Sequence, residues 1–336
     1  MTTGAVIVTY NSAGHIGPCL DSCLAHARDL DAGIVVVDNA SSDSTLDEVR
    51  SRPAVTIIAN SHNAGFAAAA NQGFAALPHA AAVLLLNPDT QLISSPSILS
   101  RALQETPRAA AAGGMLLSPS GAPQLGFQFR RFPTPAALAF ETLGLNRLFP
   151  SNPVNRRYRA LDLDPALPAE GIQPAGACLL VLRAAWQQVR GFDEGFHPLW
   201  FEDVDFLKRL SDSGWRILYA PAFQAAHFGG HSIARLRTAS RQLYWYNNLL
   251  RYASLHFGTA GRVLNCGAVF IGVLPRAVTG MLLERTVQSV ALYGRLGQLA
   301  VTYLWGGVSF ASSPGKASRA SHSECEPAGT QKRTGS

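Results

Sequence analysis

Charge is scarce in this chain. Asp, Glu, Lys and Arg together make up 15% of its 336 residues, and no dense Lys/Arg stripe runs along it. A nucleic-acid groove needs such a stripe, so nucleic acid is excluded as the partner. Cysteine is sparse as well. Five residues with no framework spacing exclude a disulfide scaffold and point to a reducing compartment. No basic n-region followed by an apolar h-region opens the chain, so no secretory signal is expected. Long uncharged runs are missing: Val263 to Pro275 is too short to cross a bilayer, and Leu296 to Phe310 is borderline. The Gly-x-Gly of a dinucleotide fingerprint is absent after the first apolar run, where only Gly14-x-x-Gly17 stands.

What is present is an ample core, with 47% hydrophobic residues, and a mild basic excess of +6 carried mostly by arginine. That balance suits a phosphorylated ligand or an anionic membrane surface. Three apolar runs end in polar clusters. Ala5-Val6-Ile7-Val8 runs into Thr9-Tyr10-Asn11, Ile34-Val35-Val36-Val37 into Asp38 to Asp43, and Val83-Leu84-Leu85-Leu86 into Asn87-Pro88-Asp89. Each run reads as a strand buried on both faces, and Pro88 stops the third. In an open parallel sheet, ligands bind beyond the carboxyl strand ends. Acids there do not hold phosphate directly; they hold a metal that does, or a base or a sugar.

Strand and helix patterns alternate from residue 4 to about 117, which predicts a doubly wound α/β domain. Helices are expected after the first strand, where Ile16, Leu20 and Leu24 recur at helical spacing, at about Thr45 to Arg50, from Phe66 to near Gly73, and near Ser97 to Glu105. Residues 118 to 170 are rich in proline and arginine. They read as a long functional loop over the crevice or as a disordered insertion. A strand is expected at Gly176 to Val181 and a helix at about Ala184 to Val189. Another helix, with Glu202, Asp203 and Asp205 in its first turn, should close at Gly214. Trp215 to Tyr219 reads as a strand leading to a polar turn with His227, Gly229, Gly230 and His231. The expected units are an α/β domain over 1–240, a helical extension over 241–311 and a disordered tail over 312–336. The extension is read as lying on a membrane, with spanning it or packing on the first domain as alternatives.

His15, Cys19, Cys23 and His26 carry metal-binding residue types. On one helix, however, His15 and Cys23 lie about 12 Å apart, and one helix cannot wrap four ligands around zinc. The cysteines read as core residues.

Taken in order, Val8-Thr9-Tyr10-Asn11, Val37-Asp38-Asn39-Ala40-Ser41-Ser42-Asp43, Asn63-Ala64-Gly65-Phe66, Asn71-Gln72-Gly73, Leu85-Leu86-Asn87-Pro88-Asp89, Gly176-Ala177-Cys178 and Phe201-Glu202-Asp203-Val204-Asp205 form a specific set. On these residues the chain resembles family 2 glycosyltransferases, and within them the bacterial rhamnosyltransferase-like enzymes of cell-surface polysaccharide synthesis. The resemblance implies a GT-A fold: a Rossmann-like, doubly wound, mostly parallel sheet, here with the C-terminal helical extension. It also implies a nucleotide-diphosphate-sugar donor, a divalent metal (Mg²⁺ or Mn²⁺), inversion at the anomeric carbon and a glycan or lipid-linked acceptor. The expected location is cytoplasmic, on the inner face of the cell membrane.

By that resemblance Asp89 is a metal ligand, with Asn87 replacing the first acid of the family's Asp-x-Asp and placed among the donor-binding residues. His227 matches a histidine that supplies a second ligand in relatives. Asp38 accepts a hydrogen bond from the nucleotide base, and a carboxylate suits the ring N–H of uracil or thymine. Its alternative is an Asx-type turn cap. Thr9 and Tyr10 flank the same nucleotide. Asn63 and Gly65 form a turn whose amides approach an anion or base, or simply cap the next helix. Asp203 matches the catalytic base, Glu202 is placed with the acceptor, and Asp205 caps the helix. Trp200 and Phe201 stack on a sugar or belong to the core. The donor favoured is dTDP-rhamnose, with UDP-sugars second. Two other classes compete: a nucleotidyltransferase, which would carry a basic Gly-rich loop that Thr9 to Gly17 lacks, and a non-catalytic nucleotide-sugar-binding module.

Overall fold

Strand β1 (Thr3–Thr9) is buried along its whole length, because helices cover both faces of the sheet it centres. Its alternate residues go to opposite sides. Ala5 and Ile7 join a core with Ile16, Cys19, Leu20 and Cys23 of α1 (Ala13–Ala25). Val6 and Val8 join another with Ala67, Ala70 and Phe74 of α3 (Phe66–Ala76). At Gly73 an added Cβ would lie 2.4 Å from a Val6 methyl, so only glycine lets α3 approach β1 this closely. The two core cysteines are fully buried on α1, as the helical spacing argues.

The computed structural model describes residues 1–229, 238–284 and 287–306. After β1 and α1 come β2 (Gly33–Asp38), α2 (Thr45–Arg50), β3 (Val55–Ala59), α3, β4 (Ala82–Leu86), β5 (Thr90–Leu92), α4 (Ser97–Glu105) and β6 (Ala109–Leu117). β7 (Phe129–Arg130), α5 (Pro135–Thr142), α6 (Leu145–Leu148), α7 (Pro153–Tyr158), β8 (Ala169–Glu170) and β9 (Gln173–Pro174) follow. β10 (Cys178–Leu182), α8 (Arg183–Gln188), α9 (Glu202–Asp212) and β11 (Arg216–His227) complete the sheet region. The main sheet runs β3-β2-β1-β4-β10-β6-β11-β5, with β8 on β11. The β3-β2-β1-β4 half is parallel, and β10 is an antiparallel insert between β4 and β6. Strand order reverses beside β1, where β2 and β4 leave in opposite directions. That switch point opens a crevice at the carboxyl ends of β1 and β4.

Two features depart from the sequence expectation. Residues 118 to 170 are not a featureless loop. Pro135 and Pro153 sit at the first helical positions of α5 and α7, where a missing N–H costs nothing, and Thr134 and Asn152 cap them by accepting from Ala137 N and Asn155 N. The prolines therefore start helices here. β11 also extends past Tyr219 to His227, through a register shift between Ala220 and Gln224. His227 thus ends a strand instead of lying in a turn. Gly230, His231 and the tail at 312–336 lie outside the described residues.

Helix α10 (Thr238–His256) locks onto the sheet domain. Arg251 donates to buried Asp193 at 2.6 Å, His256 Nε2 lies 2.8 Å from Asp205, and Asn248 donates to the Leu199 carbonyl at 2.8 Å. The boundary expected at residue 240 falls inside this helix. α11 (Gly258–Glu284) and α12 (Val287–Trp305) bury Cys266, Val269, Val273, Leu296 and Ala300 in one cluster with Leu138 of α5. Their outer faces expose Val263, Phe270, Ile271, Leu274 and Trp305. Because α11 begins at Gly258, before the expected apolar run, its Gly258–Pro275 stretch is long and apolar enough by composition to cross a membrane, with mean hydropathy 1.2 and 39% of it buried.

Candidate active site

A cavity of about 1220 Å³ occupies the crevice. Its floor is the strand ends, with Thr9, Tyr10, Asn87 and Asp89. The 124–159 segment supplies Gln124, Phe127, Arg130 and Arg159, the loop before α9 supplies His197 and Trp200, and the first turn of α9 supplies Glu202 and Asp203. Asn63, Gly176 and His227 also line it, as do Tyr244 and Trp245 of α10. The structure thus gathers all but two of the sequence-assigned site residues around one space. The exceptions are Asp38 and Gly65.

Asp89 and His227 face each other, with 3.6 Å between Oδ1 and Nε2. The ring is oriented by Gln124, whose amide N–H donates to the His227 carbonyl at 2.7 Å. That leaves its oxygen 3.0 Å from Nδ1 as an acceptor. Nδ1 then carries the proton, and the Nε2 lone pair points toward the carboxylate. Phe127 stacks on the same ring at 5.0 Å. Burial pushes the imidazole below its ordinary pKa, although Asp89 pulls it upward. A neutral nitrogen lone pair and a carboxylate oxygen converging on one point suit a divalent cation, and the Gln124 contact is the outer support such a ligand histidine needs. No set of three or more His, Cys, Asp or Glu side chains surrounds a metal-sized space among the described residues. Donor oxygens and water would complete the coordination, as is usual for Mg²⁺ and Mn²⁺.

Across the cavity, Asp203 accepts from Gly176 N at 3.0 Å and from Val204 N at 2.8 Å. Burial raises its pKa, while those amides and the Arg130 charge hold it back. The result is a fixed carboxylate more basic than an exposed one. Neighbouring Glu202 is held well above the ordinary carboxyl pKa by burial, with Asp203 and Asp205 adding to the effect. Its Oε2 is buried without a partner among the described residues. Asp205 is no simple cap: it takes Arg209 at 2.8 Å and His256, tying α9 to α10. Phe201 and the partly buried Trp200 both pack with the helical core, and both line the cavity.

Asp38 is fully buried at the end of β2. Both its oxygens accept from Ser41, one from the amide at 2.9 Å and one from the hydroxyl. That is turn-capping geometry. Gly65 has φ +86, and an added Cβ would lie 2.8 Å from the His197 ring. Its N–H goes to the Asn63 side chain at 2.9 Å, and the Phe66 N–H goes to the Pro198 carbonyl at 2.8 Å. This turn therefore holds the 197–198 loop and has no free amide at either position. Thr9 differs, since its buried hydroxyl has no partner among the described residues.

Sequence reasoning counted Arg130 and Arg159 among the arginines of the basic 118–170 segment without assigning them a role, and did not single out Gln124 or Phe127. Arg130 and Arg159 flank Gly126: Arg130 donates to its carbonyl at 2.7 Å, and the Arg159 stem packs against its Cα. Neither has a carboxylate partner among the described residues. The arginine richness of the segment was a signal for both; a lone glutamine carries none.

Known proteins give this geometry its context. The family described as "Glycosyl transferase family 2" matches residues 5–122. An N-acetylglucosaminyl-diphospho-decaprenol L-rhamnosyltransferase of Mycobacterium tuberculosis is 32% identical over 242 residues, covering 68% of this chain and 77% of its own. Rhamnosyltransferase WbbL of Escherichia coli is 42% identical over 57 residues, 17% of this chain and 21% of that protein. Among solved structures, GalNAc-T7 with UDP, GalNAc and Mn²⁺ overlaps with a TM-score of 0.53 at 14% identity, covering 76% of this chain and 50% of that one. The last likeness shows the fold alone, and the fold is GT-A. With a crevice of this build and a relative of this extent, the chain belongs to family 2 of the glycosyltransferases and is rhamnosyltransferase-like.

Proposed function

We propose that this sugar transferase inverts the anomeric centre, using Asp203 as general base and Asp89 with His227 as the protein ligands of a divalent metal. The donor is a nucleotide-diphosphate sugar, dTDP-rhamnose first and UDP-sugars second. The acceptor is a lipid-linked or cell-surface glycan. The observation that carries this reading is the shared cavity: the Asp89–His227 pair and Asp203 line the same space, so donor phosphate and acceptor hydroxyl can meet in it. Membership of the family sets aside the nucleotidyltransferase and non-catalytic alternatives.

The chemistry follows from placement. Asp203, held by the Gly176 and Val204 amides, takes the acceptor O–H proton as that oxygen attacks the anomeric carbon. The new C–O bond forms as the bond to the diphosphate oxygen breaks, and the electron pair leaves on the nucleoside diphosphate. A bound Mg²⁺ or Mn²⁺ supplies charge that stabilises this leaving group. Arg130 and Arg159 add fixed positive charge on the same wall. Thr9 offers its free hydroxyl to the nucleotide, and Asn87 and Tyr10 border the donor. Glu202, whose carboxyl burial shifts toward the protonated form, borders the acceptor. Asp38 acts on the base through the turn it holds with Ser41. The exposed apolar face of α11 and α12, together with the net positive charge, suits the inner face of an anionic membrane.

The test is incubation of the full chain with a panel of nucleotide sugars, with and without Mn²⁺. The expected outcome is metal-dependent turnover with a pyrimidine-nucleotide donor. A purine-nucleotide sugar turning over best would contradict the donor assignment, and equal turnover in a chelator would contradict the metal.

A further inference from the structure

Two consecutive residues just before α9 have left-handed backbones, Trp200 at φ +76 and Phe201 at φ +70. Neither is glycine. That region is costly for large side chains, so neighbouring structure has to hold the corner in place. The corner leads straight into Glu202 and Asp203, which line the catalytic cavity. From the sheet domain, the Gly176 amide holds Asp203. From α10, three residues take hold of the same stretch. Fully buried Asn248 donates to the carbonyls of His197 at 3.3 Å and Leu199 at 2.8 Å. The Tyr252 ring lies 5.7 Å from the Phe201 ring, centroid to centroid. His256 Nε2 lies 2.8 Å from one oxygen of fully buried Asp205, whose other oxygen takes the Arg209 guanidinium at 2.8 Å. A carboxylate only accepts, so Nε2 carries the proton.

Asn248, Tyr252 and His256 stand four residues apart, which puts them on one face of the helix. Each meets a successive part of one segment: the loop at 197–199, the corner at Phe201, and the first turn of α9 at Asp205. The Asp205 N–H closes that turn on the Phe201 carbonyl at 2.9 Å. The Asp89–His227 pair is carried by other elements, so the placement of this segment sets where Asp203 stands relative to it. We propose that Asn248, Tyr252 and His256 are positioning residues for the transfer reaction: one stripe of α10 holds the corner and the first turn of α9, and thereby fixes Asp203 against the acceptor hydroxyl. The inference rests on the base role of Asp203 in the proposed function. It makes α10 part of the catalytic unit, whatever the two helices after it do at a membrane.

The test uses the full chain. Turnover is measured with dTDP-rhamnose, or the nucleotide sugar of the panel that replaces it, and binding with the matching nucleoside diphosphate and Mn²⁺. Asn248→Ala and His256→Ala should each lower kcat by about tenfold or more, because small misplacements of a reacting group cost that much. Donor KM and nucleoside diphosphate affinity should stay as in the wild type. His256→Gln, whose amide N–H can still donate to Asp205, should keep most of the turnover. Leu296→Ala is the control: this fully buried residue of α12 belongs to the same helical cluster and makes no contact named above. It should lower the melting temperature and leave kcat unmoved. Hydrogen exchange at the Asp205 amide should quicken in the two alanine variants well beyond any change in Leu296→Ala. Wild-type kcat in both alanine variants overturns the proposal. An equal loss of kcat in Leu296→Ala overturns it too, since the stripe would then serve stability alone. So does a parallel loss of nucleoside diphosphate affinity, since the whole crevice would have moved. If the wild type turns over no nucleotide sugar, the transferase reading fails and the exchange measurement decides the grip by itself: equal protection of Asp205 in all variants overturns it.

Discussion

On the sheet side of the crevice, Asp38 has both oxygens occupied by Ser41, and Asn63 gives its side-chain oxygen to the Gly65 amide. On the opposite wall, among the described residues, Glu202 keeps a buried oxygen without a partner and Arg130 and Arg159 make no ion pair with a carboxylate. Both walls carry polar residues in motifs, yet one is internally complete and the other is not. A buried polar atom without a partner is costly until one arrives; Asp203 on this wall has both oxygens held by the Gly176 and Val204 amides, but unlike Asp38 it lines the cavity. Thr9 is the exception on the sheet side, where its buried hydroxyl has no partner among the described residues.

The sharpest way to break this comparison is on the open wall. Asp203→Asn keeps the shape and removes the basicity, so turnover should fall by at least about 100-fold with donor affinity nearly intact. Because burial raises the Asp203 pKa, the wild-type rate should decline with acid on a limb lying above the ordinary carboxylate range. A kcat profile flat down to about pH 4 would remove it from the base role. Next in size is the metal pair. Asp89→Ala should abolish the Mn²⁺ dependence of nucleoside diphosphate binding in calorimetry, and His227→Ala should weaken it less. Gln124→Leu should cost about tenfold in metal affinity by freeing the ring, with apo stability as the control for folding. Metal dependence that survives Asp89→Ala would place the ion elsewhere.

On the complete wall, Asp38→Ala should act first on stability. Losing the Ser41 contacts should cost about 1–3 kcal/mol, with donor KM raised more than kcat is lowered. An unchanged melting temperature with a large KM effect would mean that the carboxylate meets the base directly. The smallest effect is the most diagnostic. Glu202 has its folded-state pKa raised, so the native state holds its proton more tightly than the unfolded chain. Its contribution is most favourable at low pH and is lost as pH rises through the raised value. Glu202→Gln should therefore stabilise the protein by about 1 kcal/mol at about pH 8, with the gain shrinking as pH falls to about 4, while activity drops. A stability gain independent of pH would show that the carboxyl is not buried as described.

The strands were legible because the runs ending at Thr9, Asp38 and Leu86 are apolar throughout, as only strands covered on both faces can be. Pro88 and the acidic first turn of α9 gave their ends. The short strands β5, β7, β8 and β9 gave no such signal; two or three residues cannot show a period. The 118–170 segment misled because proline breaks a helix only from its interior, and capped prolines at the first position start one. An Asx-type turn cap was legible as the alternative for Asp38, but its partner Ser41 and whether the carboxylate still faced a ligand depended on three-dimensional packing.

Sequence by itself determined the α/β order, the delivery of Asp89 and Asp203 to strand and helix ends, and the burial of Cys19 and Cys23. Those follow from local periodicity and from turn and cap chemistry, which act over a few residues. Tertiary structure alone decided that Gln124 orients His227 across 103 residues and that Arg251 and His256 clamp the sheet domain from α10. Such pairings depend on where distant segments pack, and a hydrogen bond or an ion pair has no periodicity along the chain to announce its partner.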